Sequence, residues 1–137
     1  MSEIISALQN GSQVKVVYSY TQNISANTSA VTASLYVHRD SYGPSYADSC
    51  TAYININGAR AMTYTAGFTI GSSWVQIGST ATATVAHNAD GTKIVNITGY
   101  FNSSVTSKLE NLSVSQNITL TIIPRASQIT ASSGSFN

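Results

Sequence analysis

One cysteine, Cys50, stands in a chain of 137 residues, so neither an internal disulfide nor a cysteine-based zinc site can be built. Charge is scarce too, at 8% of residues where a soluble domain ordinarily carries about a quarter. The net charge is +1, and the cations Lys15, Arg39, Arg60, Lys93, Lys108 and Arg125 are scattered. No basic stripe is left to neutralise a phosphate backbone, which excludes nucleic acid as an expected partner. There is no apolar run near the roughly 18 residues of a membrane span, and no charged start followed by an apolar stretch. The expectation is a soluble chain without membrane insertion, made in the cytoplasm. Also missing are a G-x-S-x-G elbow, an H-E-x-x-H pair and a Gly-rich phosphate loop, and no segment has a helical period. These absences lead us to expect no catalytic residues, no cofactor and no metal.

What is present is apolar residues at 42%, enough for one core, and a surface wetted by Ser, Thr and Asn. Serine and threonine make up roughly a quarter of the chain, a composition that suits β-structure. With this much Asn, Ser and Thr, the N-x-S/T triplets at Asn10, Asn23, Asn27, Asn96, Asn102, Asn111 and Asn117 arise by chance.

Alternation marks the strands. Val14, Val16, Tyr18 and Tyr20 share one face, and so do Val31, Ala33, Leu35 and Val37, opposite Thr32, Ser34, Tyr36 and His38. Residues 40–49 form a loop with Gly43 and Pro44. Asn57-Gly58 is the preferred pair for a two-residue I′ hairpin, with Ala52, Ile54 and Ile56 facing inward before it. Val75, Ile77, Ala81, Ala83 and Val85 follow as inward residues, with a bulge at Gly78. Asn88-Ala89-Asp90-Gly91 fits a type I turn, read here as a hairpin into Val95, Ile97 and Phe101. The last strand, in residues 110–123, aligns Leu112, Val114, Ile118, Leu120 and Ile122. About seven antiparallel strands with this spacing predict an all-β, immunoglobulin-like β-sandwich, with a jelly roll or barrel as the alternative. Residues 1–12 read as a lead-in, a short strand or one helical turn. The sandwich spans 13–124, and Ser-rich 125–137 is a linker or the start of a next domain.

Each candidate for chemistry has a plain structural reading beside it. His38 and His87 end strands and read as surface residues. A hydrolase using His87 and Asp90 is the least favoured function, because Asp90 is better explained as a turn residue bonding nearby N–H groups. Cys50 reads as a small buried hydrophobe, and Trp74, at a strand start, as core. Tyrosine is over-represented, with eight residues. Its flat apolar face and polar tip suit stacking on sugar rings. Tyr42 and Tyr46 in the Gly-Pro loop, with outward Tyr36, are therefore the candidate ligand-binding residues, whereas Tyr18, Tyr20, Tyr53, Tyr64 and Tyr100 read as sheet cover.

Four phrases occur in order: QNISANTSAVTASLYV at 22–37, INING at 54–58, HNADGTKIVNITGYF at 87–101 and LTIIPRAS at 120–127. Together they resemble the N-terminal domain of a family of minor structural proteins of tailed bacteriophages infecting Gram-positive bacteria, whose repeated β-domains end in a similar phrase. The resemblance implies a virion location in the tail or its tip, other tail proteins as partners, a part in host adsorption, and a parent protein continuing past Arg125. It carries over no catalytic motif. The expected function is a non-enzymatic structural or host-recognition module, with host cell-wall glycan as a candidate ligand and a homo-oligomer left open. The alternative is a bacterial surface or secreted adhesion module acting through protein–protein contacts.

Overall fold

The computed structural model describes residues 2–7, 11–39, 46–69, 73–102 and 111–125; for 46–49, 68 and 69 it describes the backbone. Its elements are eight strands: β1 (Ser2–Ile5), β2 (Ser12–Asn23), β3 (Thr28–Arg39), β4 (Tyr46–Ile56), β5 (Ala59–Thr69), β6 (Val75–Ala86), β7 (Ile94–Asn102) and β8 (Leu112–Thr119). They form two four-stranded antiparallel sheets, ordered β1-β2-β3-β6 and β5-β4-β7-β8. The architecture is an open two-layer β-sandwich, not a closed barrel. The likeness to immunoglobulin domains is one of architecture. Here the consecutive strands β2 and β3 pair along their whole length, where the immunoglobulin order puts the second strand beside the fifth.

Period-2 alternation decides which residues meet between the sheets. Val14 and Val16 from β2, Val31, Ala33, Leu35 and Val37 from β3, and Ile77 and Ala81 from β6 are buried from one side. From the other side come Ala52, Ile54 and Ile56 of β4, Val95, Ile97 and Phe101 of β7, and Leu112 of β8. Each fully buried aliphatic or aromatic side chain contributes about 1.5–3 kcal/mol relative to exposure, so these alternating runs hold the layers together. The gap is narrow at Gly99, where an added Cβ would sit 2.6 Å from Val16 Cγ2 and 2.9 Å from Leu35 Cδ1. The first residues belong to this fold as a strand: β1 pairs with β2 and buries Ile4.

Asn57 and Gly58 both take positive φ, 56° and 82°, as an I′ turn requires, and close the β4–β5 hairpin. The turn at Asn88–Gly91 has the expected geometry, with Gly91 N–H donating to the Asn88 carbonyl at 2.8 Å and Gly91 at φ 89°. It does not make a hairpin. β6 pairs with β3 while β7 pairs with β4 and β8, so the turn is an arch carrying the chain from one sheet to the other. A type I turn reverses direction whether or not the flanking strands then pair.

The chain leaves β8 under that arch. Alternation runs past the end of β8, with Leu120 buried and Thr121 exposed, and then breaks: Ile122, expected inward, is exposed and Ile123 is buried. Leu120 N–H donates to the Lys93 carbonyl at 3.0 Å, continuing the β7–β8 register, whereas Ile123 N–H donates to the Gly91 carbonyl at 3.0 Å, off that register, as the backbone leaves the strand period. The Gln22 amide donates to Thr121 O, and the Arg125 guanidinium to Ile24 O. This short run, 120–125, plugs one end of the sandwich.

Candidate recognition surface

Histidine 87 was expected at the surface and is buried. It continues the inward parity of Ala81, Ala83 and Val85, a signal that was available in the sequence. One ring nitrogen, Nε2, lies 2.7 Å from Ser29 Oγ, and Nδ1 lies 2.7 Å from the Gly91 carbonyl. A carbonyl only accepts, so Nδ1 carries the proton and Nε2 takes the Ser29 hydroxyl. The pair looks like a nucleophile beside a base, but Ser29 is fully buried and both ring nitrogens are engaged within the fold. Its work is to tie β3 to the arch. Asp90 accepts from the Thr92 hydroxyl at 2.6 Å and the Thr92 N–H at 3.0 Å, which holds its carboxyl below the usual carboxylate range and makes it the turn residue expected. Cys50 is buried, and its thiol donates to the Ala66 carbonyl at 2.9 Å.

Of the three candidate tyrosines, Tyr42 lies outside the described residues. Tyr46 opens β4 and pairs with Thr69, so it belongs to a strand instead of the loop, and its side chain lies outside the described residues. Tyr36 stands on the solvent face of the first sheet, half-buried, with Lys15 of β2 and Gln76 of β6 as its neighbours in register.

Trp74 joins it there. Expected in the core, it has the parity of Gln76, opposite to buried Ile77, and so projects to the outer face. Its ring packs on the His38 ring, centroids 4.0 Å apart and planes tilted by 58°. The Lys15 ammonium sits 4.6 Å from the Trp74 centroid and 5.6 Å from that of Tyr36, and donates to Glu3 Oε2 at 2.9 Å. Only 12% of the Lys15 side chain is exposed, so its cation–π contacts are partly desolvated and contribute on the order of 1 kcal/mol. His38 Nε2 donates to Gln13 Oε1 at 2.7 Å, and the Gln13 amide donates to Ser6 O at 2.9 Å. Tyr36, His38, Trp74, Lys15 and Gln13 thus form one fixed group of ring faces and polar tips. Because β3 ends at Arg39, Tyr42 follows it three residues later in the chain.

The second sheet carries a different aromatic group on its outer face. Tyr53 and Tyr100 pair directly across β4 and β7 with rings stacked at 4.8 Å, and the Arg60 guanidinium of β5 lies 3.7 Å from the Tyr53 centroid. Because β4 lies between β5 and β7, Arg60 and Tyr100 approach Tyr53 from opposite flanks and occupy both its faces. This is the cross-strand cover expected of the sheet tyrosines. Beside it, the Asn96 amide donates to Ser115 and Asn117, and the Thr98 hydroxyl to Asn96. Both groups lie on open sheet faces; the described surface has no enclosed pocket. Among the described residues no three His, Cys, Asp or Glu side chains are grouped to hold a metal ion, and no helix is long and apolar enough to cross a membrane.

Comparison with known families places residues 1–136 within the family described as siphovirus protein of unknown function (DUF859). No curated protein matches the chain. The match spans nearly the whole chain, and the protein therefore belongs to this siphovirus family.

Proposed function

We propose that this β-sandwich is a non-enzymatic structural and host-recognition module of a siphovirus tail, and that it contacts host cell-wall carbohydrate through the outer face of its first sheet. The observation that carries the reading is Trp74. A solvent-side tryptophan packed on His38, with the Lys15 ammonium over its ring and Tyr36 beside it, is a half-buried aromatic patch edged by hydrogen-bonding groups. Sugar rings are bound in that way: their C–H faces lie on an aromatic ring while their hydroxyls meet amide, imidazole and ammonium tips. The uncharged surface suits a neutral polysaccharide. Membership in a siphovirus family favours the phage reading over a bacterial adhesion module. Partners in this role are the neighbouring tail proteins and the host wall.

The test is sedimentation of the purified protein with isolated host cell walls. Trp74→Ala removes the platform and is expected to weaken binding about tenfold or more, the effect of losing roughly 1.4 kcal/mol. Arg60→Ala, on the opposite face, is expected to leave binding unchanged. Equal binding by wild type and Trp74→Ala would remove this face from the account.

A further inference from the structure

A sheet edge is a row of unpaired donors and acceptors, and proteins guard such edges with bulges, charges, proline, short strands or a cover. The two sheets of the described residues have four. On one side β5 and β6 face each other across the layers, and Met62 of β5 packs on Gly78 of β6, where an added Cβ would lie 2.6 Å from its sulfur. The register shifts along both strands, and β5 also carries Arg60. On the other side β1 has four residues and the charged Glu3. Among the described residues the remaining edge, β8, is unguarded. LSVSQNIT has no charge and no proline, and it pairs with β7 in unbroken register.

The direction of its free groups follows from two bonds. Asn57 N–H donates to Asn96 O on the β4 side of β7, and Leu120 N–H donates to Lys93 O on the β8 side. Backbone groups alternate along a strand, so Leu112, Val114, Gln116 and Ile118 bond to β7 while Ser113, Ser115, Asn117 and Thr119 turn theirs outward. The next outward residue, Thr121, is already taken: its N–H donates to the Tyr20 hydroxyl at 3.0 Å, and its carbonyl accepts from Gln22 at 2.7 Å. Among the described residues no partner takes the outward groups from Ser113 to Thr119.

We infer that the β8 edge pairs with β8 of a second copy of this chain, antiparallel about a two-fold axis at Gln116. The strand is its own complement in that register. Ser115 and Asn117 of each copy exchange both backbone bonds with Asn117 and Ser115 of the other, and Ser113 meets Thr119 in the same way. Val114 lies across from Ile118, adding apolar contact on the core side, and the two Gln116 side chains face each other at the axis. No like charges meet anywhere along the pair, and the two β5-β4-β7-β8 sheets become one continuous sheet. The interface is isologous, as a closed two-fold dimer demands. An edge-to-edge contact buries little area, so the dimer is weak, with a dissociation constant on the order of 0.1 mM.

Sedimentation velocity on the purified chain, from about 10 µM to about 1 mM, reads this directly. Wild type is expected to shift from monomer toward dimer across that range. Gln116→Lys sets two ammonium groups opposite each other and is expected to weaken association about tenfold, as is Gln116→Glu with two carboxylates. Mixing the two variants places opposite charges at the axis and is expected to restore the dimer. Thermal unfolding confirms that both variants keep the fold. A wild type monomeric at every concentration, association insensitive to Gln116→Lys, or two variants that fail to rescue each other would each overturn the inference. Neither cell-wall binding nor its failure bears on this result, because the edge lies away from Trp74.

Discussion

Replacing Gly91 by alanine adds one methyl group at the point where the arch between the sheets meets the departing chain. Two costs arise. The first is conformational: Gly91 sits at φ 89°, where an L-residue is strained by about 1–2 kcal/mol. The second is steric: an added Cβ would clash with the Ile123 carbonyl oxygen, and a backbone atom cannot swing aside as a side chain can. To clear it, residues 120–125 must shift, which breaks the Ile123 N–H bond to Gly91 O, about 1 kcal/mol, and unseats the fully buried Ile123 side chain, about 1.5–3 kcal/mol. The total loss is about 3.5–6 kcal/mol. Gly58→Ala is the internal control, because it has the same kind of backbone (φ 82°) with nothing within 4 Å of the new methyl. It suffers the first cost alone. Urea denaturation of the two variants should therefore separate their midpoints by about 1–2 M, taking a slope of about 2 kcal/mol per M. Coincident midpoints would refute the claim that the exit segment is docked against the arch.

Other consequences follow from packing and protonation. Gly99→Ala pushes a methyl into Val16 and Leu35 and should destabilise by about 1–3 kcal/mol; adding Val16→Ala should recover part of that loss, and strict additivity of the two would argue against a direct clash. Burial pushes the Cys50 thiol above its ordinary range, outweighing the opposing pull of its bond to Ala66 O. The folded state therefore favours the neutral thiol. Its stabilising contribution is complete below the ordinary thiol range and is lost as pH rises through the raised value. Wild type should lose stability relative to Cys50→Ala in strongly alkaline urea titrations, and a constant difference across that range would contradict the assignment.

Much of the fold was legible because alternation is a local signal with a tertiary meaning. The inward residues of β2, β3, β4 and β7 were read correctly from their spacing, and Asn57-Gly58 announced its hairpin because few other pairs accept two positive φ angles in succession. The arch was misread for a physical reason: Asn88–Gly91 encodes a reversal of direction, and whether β7 then pairs with β6 or crosses to β4 is decided by residues far away in sequence. Trp74 and His87 were assigned by residue type when parity was the better guide. Trp74 shares the outward parity of Gln76, and His87 the inward parity of Val85. Ile122 and Ile123 exchanged places because the bond from Ile123 N–H to the Gly91 carbonyl takes the chain off the strand period after Thr121, which no local pattern marks. Of the candidate ligand residues, Tyr36 was legible as outward-facing, but its grouping with Lys15, His38 and Trp74 depends on cross-strand register that sequence alone does not fix.

The central claim is that the face around Trp74 meets the host. It is tested most directly by competition: the rate at which the parent phage adsorbs to its host is measured with saturating purified protein added. Wild-type protein is predicted to slow adsorption by occupying the wall sites, and Trp74→Ala of equal thermal stability is predicted to leave the rate unchanged. Adsorption unaffected by the wild-type protein, or slowed equally by both, would contradict the account.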